Sequence, residues 1–516
     1  MSARPGSTAD VFRKQNQLPR SLPEAQGMVS EGILNFLKAV ETRKMHLHSL
    51  MLVRHGSVIA EGWWAPYRPE LKHTLYSLSK SFTSTAVGLA VGEGRLKLDD
   101  AVVSFFPDEA PATPDPRLAG LKVKHLLTMT TGHTLSDAEI FPKLLSEPGG
   151  NWAKAFLALP IGNEPGTAFL YNSAATYMLG RLVQKLTGQS LVDYLTPRLF
   201  GPLGIRTPDW EVDPKGFSVG GWGLRLRTED IARFGQLYLQ KGIWNGKQIL
   251  PKSWVSEATR AHIMQPRDPG AKRPPEQNDW VQGYGYQFWR CQHNAFRGDG
   301  AFGQFCVVMP EQDAVLAITA EQGDMQAVLD EVWTHLLPAM HAKPLPPDDL
   351  QKTVRQTLAG LAIRPPEAKN DSPLSRGISG KQFEIEQNTL KVSHFGLTLN
   401  PDSFAVTLRD DNGEHTIRGR MNRWQEGETT LSTLPLKLLP TPVPGETRTR
   451  IAASGTWTDD NTFVITCRFI ETAHYDTLTC RFDGDRLQVT FRNGVARLQN
   501  RADTRPVLHG RLVAAR

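Results

Sequence analysis

A serine and a lysine three residues apart form the pattern in this sequence with the clearest chemical use. Ser77 and Lys80 open a run of small and apolar residues, 77–89, that is typical of a buried helix. Residues three apart on a helix share one face, so the Ser77 hydroxyl and the Lys80 amine can touch. A neutral serine hydroxyl is a poor nucleophile until a neighbouring group accepts its proton. The pair therefore suggests nucleophilic catalysis, although an isolated Ser-x-x-Lys also arises by chance.

Two later segments supply residue types that could complete such a site. Tyr171 and Ser173 stand at the start of a predicted helix over 173–187, and two glycines flank Asp299 where a late strand is predicted to begin. Each has a simpler structural explanation: an aromatic packed in the core, a serine that caps the helix, and an ordinary bulged strand entry. Their order along the chain, together with the Ser-x-x-Lys pair, favours the catalytic interpretation.

A second serine lies in a pattern that matches a nucleophile elbow. The segment 216–220 has the form Gly-x-Ser-x-Gly around Ser218. Such an elbow must connect a strand to a helix. A proline-containing turn precedes this segment and a glycine-rich run follows it, so neither element is predicted there. Ser218 is therefore expected to be structural.

Together, in their order and spacing, the motifs at 77–80, 171–173 and 298–304 resemble those of serine hydrolases of the class C β-lactamase type. That family includes penicillin-binding proteins, esterases and amide hydrolases. The likeness runs from about residue 20 to residue 340 and includes the segments 201–204 and 220–235. It implies an α+β (α/β) domain of the β-lactamase/transpeptidase type, in which helices flank an antiparallel sheet.

The resemblance implies catalytic roles for three residues. Ser77 would be acylated, Lys80 would be its partner on the helix, and Tyr171 would relay the proton. Two assignments of the base remain open at this point. A Lys80 cation could favour the Tyr171 phenolate, or a desolvated, neutral Lys80 could accept the proton itself. No metal or cofactor is implied, and the sequence has no spacing typical of a metal or nucleotide site.

The resemblance also implies which residues bind the substrate. Ser173 stands where the family usually has asparagine. The strand motif, commonly Lys-Thr-Gly or His-Thr-Gly, is matched by Gly298-Asp299-Gly300, so the usual cation is missing. The backbone N–H groups of Ser77 and Ala301 would form an oxyanion hole, which typically supplies about 3 kcal/mol per donor.

The elements that must position these residues divide the chain into parts. A flexible tail over 1–20 precedes a domain over 21–342, with early strands near 49–54 and 57–62, late strands near 284–291, 304–309 and 314–320, and helices between them. A proline-rich linker over 343–373 follows. In 374–516, strand-length runs alternate apolar and polar residues between turn signals, which predicts an all-β meander that forms a small sandwich or barrel. A chain ending near residue 340 is expected to fold and to keep an active serine.

Composition and charge exclude several function classes. The chain has 516 residues, a net charge of +6 and 40% hydrophobic residues, as in an ordinary soluble globular protein. It has no long Lys/Arg block, so no nucleic-acid partner is predicted. It has no apolar run long enough for a membrane span, and its N-terminus lacks the apolar core of a secretory signal. The chain has four cysteines, Cys291, Cys306, Cys467 and Cys480. They are predicted to be reduced, half-buried thiols on strands, and a cytoplasmic location is predicted for the protein.

The sequence therefore predicts a cytoplasmic serine hydrolase, an esterase or amidase, that forms an acyl-enzyme with a small ester or amide substrate. The alternatives are a β-lactamase, a D-amino-acid peptidase or penicillin-binding protein, and a catalytically silent scaffold on the same fold. An Asp299 that points into the pocket would repel a substrate carboxylate, unless Arg297 swings in as the missing cation. The natural substrate and the oligomeric state stay open.

Overall fold

The computed structural model describes residues 17–431, 439–498 and 501–513. A six-stranded antiparallel sheet forms the centre of the N-terminal domain. The first strand pairs with both the second strand and the last strand of the domain, so the sheet holds both ends of the domain together, as predicted. Across the sheet the strand order is Ser57–Trp63, Leu47–Arg54, Ala314–Ala320, Gln304–Met309, Phe296–Gly300 and Trp289–Arg290.

Helices cover both faces of this sheet because its strands are apolar on both sides. Leu50 and Leu52 pack in the cluster that contains the helix Ser30–Thr42, whereas Met51 and Val53 pack in the cluster that contains the helix Ser79–Gly92. The alternation follows from the two-residue period of a strand. The α-helices of this domain are Ser30–Thr42, Ser79–Gly92, Val123–Leu127, Asp137–Leu145, Trp152–Leu157, Ser173–Thr187, Leu191–Leu195, Thr228–Leu239, Lys252–Thr259 and Met325–Glu331.

The late strands differ in part from the prediction. The run 284–291 forms only the short strand Trp289–Arg290, because the chain turns at Gln287, whose φ is 64°. The segment Phe296–Gly300 is a strand in its own right and pairs in regular register with Gln304–Met309. The glycines around Asp299 are therefore inside a strand, and the alternative of a bulged strand entry is wrong.

The C-terminal domain is a closed barrel, which confirms the all-β prediction. Among the described residues, nine strands form the ring, and the parallel pairing of Gly413–Met421 with Thr449–Trp457 closes it. The strand Gln425–Thr429 lies outside this ring and pairs antiparallel with Thr449–Trp457. The ring strands are Lys381–Ile385, His394–Asn400, Ser403–Asp410, Gly413–Met421, Thr449–Trp457, Thr462–Phe469, Tyr475–Asp483, Arg486–Asn493 and Leu508–Leu512.

The segment between the domains contains a helix, Leu350–Ala359, that packs on the N-terminal domain. Its Val354 and Leu358 are buried in the same cluster as the helix Ser30–Thr42. A Cβ on Gly62 would lie 3.1 Å from the Leu358 side chain, so the glycine lets this helix approach the outer strand closely. On the same outer strand, Glu61, the neighbour of Gly62, pairs with Arg20 at 2.8 Å. None of the helices within the described ranges is long and apolar enough to cross a membrane.

All four cysteines are unpaired and fully buried, so the expectation of half-buried thiols is wrong. Cys306, Cys467 and Cys480 lie on strands, and Cys291 directly follows one. Burial raises the pKa of Cys291 to about 11 and that of Cys306 to about 12. These thiols are therefore protonated packing groups at neutral pH.

Candidate active site

Ser77 lies in a single 3₁₀ turn, Tyr76–Leu78, that leads directly into the helix Ser79–Gly92. Tyr76 has a left-handed backbone, with φ of 46°, which costs a non-glycine residue about 1–2 kcal/mol. The turn is fixed on one side by Leu224, whose carbonyl accepts a hydrogen bond from Leu75 N at 2.8 Å. Ser77 is half-buried in this turn.

Lys80 is buried beneath this turn and holds three hydrogen-bond partners. Its Nζ lies 2.9 Å from Ser77 Oγ, 2.9 Å from Ser173 Oγ and 2.7 Å from Gly221 O. Burial lowers the pKa of Lys80 to about 8, even though the charges of Asp137 and Asp299 favour its protonated form. A substantial fraction of Lys80 is therefore neutral in mildly alkaline solution, as a base requires.

Ser173 joins the site from the first turn of the helix Ser173–Thr187. The cap of that helix is Asn172, whose Oδ1 accepts from Ala175 N at 3.1 Å, so the alternative of Ser173 as the cap is wrong. Ser173 instead donates its hydroxyl proton to Asp137 Oδ2 at 2.6 Å and its backbone N–H to Asp137 Oδ1 at 2.8 Å. With its proton committed to a carboxylate, Ser173 Oγ can only accept from Lys80.

Tyr171 stands over the same lysine. Lys80 Nζ lies 4.9 Å from the centroid of the Tyr171 ring, and that ring stacks on Trp289 with centroids 5.6 Å apart. Burial and the nearby Asp299 carboxylate raise the pKa of Tyr171 well above its usual value, and a hydrogen bond with Ser77 lowers it only in part. Tyr171 is therefore a neutral phenol that can donate a proton, which disfavours the phenolate as the base.

The glycines of the strand Phe296–Gly300 let it pack directly on the nucleophile turn. A Cβ on Gly298 would lie 2.5 Å from Leu78 Cδ1, and one on Gly300 would lie 2.0 Å from Leu75 O. No side chain fits in either gap, so these two positions have a steric role. The close packing places Ala301, the next residue, beside the turn that carries Ser77.

Asp299 and Arg297 lie on one face of this strand and form a buried ion pair. Arg297 Nη2 lies 2.8 Å from Asp299 Oδ2, and Arg297 Nη1 donates to Asp279 O at 2.7 Å. The guanidinium also stacks on Trp280, 4.3 Å from the ring centroid, and Arg297 is 0% exposed. Arg297 therefore neutralises Asp299 and is not available to a substrate unless this pair breaks.

Ser218 lies away from this cluster, as expected. Its backbone N–H donates to Gln184 Oε1 at 3.0 Å, and its carbonyl accepts from Gln184 Nε2 at 3.3 Å. These bonds tie the segment 216–220 to the last turns of the helix Ser173–Thr187. In the described segment around Ser218, no strand ends and no helix begins in the way that a nucleophile elbow requires.

Two residues of this cluster were missed from the sequence. Asp137 opens a helix behind a capping box formed by Ser136 and Glu139, a signal that predicts a helix start but no contact with Ser173. Gly221 contributes only its carbonyl, and a Cβ on it would lie 2.7 Å from Ser173 O. The glycine-rich run at 220–223 was the only available signal for its position.

A family model described as Beta-lactamase matches residues 36–338, which include every residue of the cluster. The chain belongs to the β-lactamase family. Among curated proteins it is 27% identical over 221 residues to the 6-aminohexanoate-dimer hydrolase of Paenarthrobacter ureafaciens, covering 40% of this chain and 55% of that protein. It is 26% identical over 205 residues to Esterase EstB of Burkholderia gladioli, covering 36% of this chain and 52% of that protein.

The chain thus spans about half the length of these two β-lactamase-family relatives. Among solved structures, the octameric penicillin-binding protein homologue from Pyrococcus abyssi is 16% identical, with a TM-score of 0.45, and the match covers 92% of this chain and 98% of that one. The family match ends at residue 338, so the barrel lies outside it. The predicted resemblance is confirmed for the N-terminal domain.

Proposed function

We propose that this member of the β-lactamase family is a serine hydrolase that cleaves uncharged esters or amides through an acyl-enzyme on Ser77. The observation that carries the proposal is the set of hydrogen bonds around Lys80. Two of its three partners, Ser173 Oγ and Gly221 O, can only accept. The third hydrogen-bonding position of Lys80 Nζ points at Ser77 Oγ.

This arrangement supports Lys80 as the base in the proposed mechanism. A neutral Lys80 keeps two N–H donors for Ser173 and Gly221 and turns its lone pair towards Ser77. The Ser77 hydroxyl then donates its proton along that line while its oxygen bonds to the substrate carbonyl carbon. The pKa of about 8 places Lys80 close to the pH at which a base is most effective.

Tyr171 is suited to the second proton transfer. As a neutral phenol beside Ser77, it can protonate the leaving alcohol or amine when the tetrahedral intermediate collapses, and Lys80 can return a proton to it. Water then attacks the acyl-enzyme, releases the acid and restores Ser77. The developing oxyanion would be held by the N–H groups of Ser77 and Ala301, which lie on the adjoining turn and strand end.

The strand motif supports an uncharged substrate. The family's usual cation is replaced by Gly298, and the nearest arginine, Arg297, is committed to Asp299. A substrate carboxylate would have to break a buried ion pair to gain a partner there, which is costly. A neutral ester or amide has no such requirement. The name of one relative, Esterase EstB, agrees with an ester as the substrate.

A fluorophosphonate probe followed by intact-mass measurement tests the proposal. The full-length protein should gain the mass of one adduct, and Ser77→Ala should gain none. Ser218→Ala is the matched control, because Ser218 is buried and its backbone is held by Gln184, and it should label as the wild type does. An unlabelled wild type would instead support the silent scaffold.

The proposed location is the cytoplasm. All four cysteines are free, and each is buried among apolar strands or beside one. A reducing compartment preserves such thiols. Fractionation of the producing cell with an antibody against the protein would test this, and a wholly extracellular protein would contradict it.

A further inference from the structure

One loop of the barrel reaches the N-terminal domain beside the proposed nucleophile. This loop, 470–474, joins the strands Thr462–Phe469 and Tyr475–Asp483. The carbonyl of Glu471 accepts a hydrogen bond from Thr74 N at 2.8 Å. His474 Nε2 lies 3.0 Å from the hydroxyl of Tyr76, the residue just before Ser77.

The Tyr76 hydroxyl makes two hydrogen bonds to the barrel. The Ala473 N–H donates to the Tyr76 oxygen at 3.3 Å, and the phenolic proton can be donated to His474 Nε2 in the tautomer that has this nitrogen unprotonated. Tyr76 is 4% exposed, and burial raises its pKa well above the usual value, so it stays a phenol. The barrel therefore holds this side chain by two hydrogen bonds.

Three rings pack together around the same point. Tyr76 and Phe302 meet edge to face with centroids 5.3 Å apart, and the His474 ring lies 5.7 Å from Tyr76 and 5.8 Å from Phe302. Tyr76 directly precedes Ser77, and Phe302 directly follows Ala301. Each proposed oxyanion donor thus has a ring on its neighbouring residue, and the barrel supplies the ring that touches both.

Both neighbouring residues have a backbone conformation that needs support. The φ angles of Tyr76 and Phe302 are 46° and 70°, in the left-handed region that non-glycine residues rarely adopt. Such conformations persist only where the surrounding structure holds them, and they cluster at functional sites. The conformation at Tyr76 sets the direction of the Ser77 N–H, and that at Phe302 shapes the turn that carries Ala301.

We infer that His474 is a positioning residue for the oxyanion hole, and that the barrel thereby forms part of the active site. The inference rests on the proposed function. Through the Tyr76 hydroxyl and the two ring contacts, His474 fixes the turn of Ser77 and the turn of Ala301 relative to each other. Loss of the His474 side chain should reduce stabilisation of the transition state and leave ground-state binding of the substrate largely unchanged.

The test compares His474→Ala and His474→Gln with His415→Ala in the full chain. His415 is a buried barrel histidine that bonds to Asp410 and Thr430, and it serves as the matched control. We expect His474→Ala to lower kcat for a chromogenic ester about tenfold or more, with KM changed by less than about twofold. Affinity for a boronic acid, which forms a tetrahedral adduct with serine, should fall by the same factor. A glutamine can accept the Tyr76 proton and should restore part of both, while His415→Ala should match the wild type.

Unchanged kcat and boronic-acid affinity in a folded His474→Ala would overturn the inference. If that variant does not fold, Tyr76→Phe keeps the ring and removes only the hydroxyl, and wild-type kcat in Tyr76→Phe would overturn the inference equally. If the fluorophosphonate probe labels the wild type at Ser77 and the His474 variants keep the wild-type kcat, this inference alone is refuted. A wild type that is not labelled would refute the proposed function itself.

Discussion

Lys80 Nζ lies 2.9 Å from the hydroxyl of Ser173 and 2.9 Å from that of Ser77, yet the two serines relate to it differently. Ser173 gives its proton to Asp137 and presents only lone pairs to the lysine. Ser77 is half-buried, whereas Lys80 and Ser173 are buried. Asp137 and Ser173 thus orient Lys80, and Ser77 is the partner whose proton can move.

The first prediction concerns pH. With Lys80 as the base, kcat/KM for a neutral ester should be low in acid and rise with an apparent pKa of about 8, because the amine acts only after it loses its proton. Asp137 favours the charged form of Lys80, so Asp137→Asn should move this rise to lower pH. The matched control is Glu139→Gln, an exposed change two residues away, which should leave the profile in place. A profile that shifts to higher pH in Asp137→Asn would contradict the assignment.

The second prediction concerns the proton path. Lys80→Ala and Tyr171→Phe should each lower kcat by about a hundredfold or more, since each removes one proton-transfer group next to Ser77. The double variant should be little worse than either single variant, because groups that act as one unit lose their effect together. Steady-state kinetics on one ester with all four proteins gives the comparison. Losses that multiply in the double variant would show that the two residues do not serve the same step.

Local sequence signals were sufficient for most of the fold. The early hairpin was predicted at 49–54 and 57–62 and is found at Leu47–Arg54 and Ser57–Trp63, because His55-Gly56 supplies two consecutive left-handed residues for the turn. In the barrel, the strand Thr462–Phe469 was predicted with the same bounds. Short apolar runs or alternating apolar residues, bounded by turn residues, indicate such strands from the local sequence.

The contacts that complete the site could not be predicted in this way. Asp137 meets Ser173 across 36 positions of the chain, and His474 meets Tyr76 across 398. Such pairs depend on how distant elements pack, and no local pattern encodes them. The alternative of Ser173 as the helix cap could not be decided for a different reason: Asn172, one residue earlier, caps equally well, and propensity does not choose between neighbours.

The third prediction concerns the contact between the two domains. Arg468 of the barrel pairs with Glu321 of the N-terminal domain at 3.1 Å, and the two side chains are 5% and 1% exposed. Arg468→Ala would leave Glu321 buried without its partner and should reduce the free energy of unfolding by about 3–5 kcal/mol. Lys369→Ala breaks the exposed pair with Asp460 and should leave the melting temperature unchanged. Equal melting temperatures for the two variants would contradict this account.

The contacts of the barrel loop 470–474 also change the expectation for a chain ending near residue 340. The sequence suggested that such a chain folds and keeps an active serine. Without the barrel, Tyr76 loses both hydrogen bonds to the loop 470–474 and Thr74 loses its bond to Glu471. We therefore expect the shortened chain to react with the fluorophosphonate probe more slowly than the full chain.

The last prediction concerns substrate charge. A substrate carboxylate bound at the strand Phe296–Gly300 would lie close to the Asp299 carboxylate. Among the described residues of this strand, the only cation is Arg297, which already pairs with Asp299. On one preparation, kcat/KM for p-nitrophenyl butyrate should exceed that for a chromogenic cephalosporin by about a hundredfold or more. Asp299→Asn removes the carboxylate that pairs with Arg297, so it should narrow this ratio by raising cephalosporin turnover. If the wild type instead hydrolyses the cephalosporin efficiently and Asp299→Asn leaves the ratio unchanged, the ion pair does not govern substrate charge, and the β-lactamase alternative takes first place.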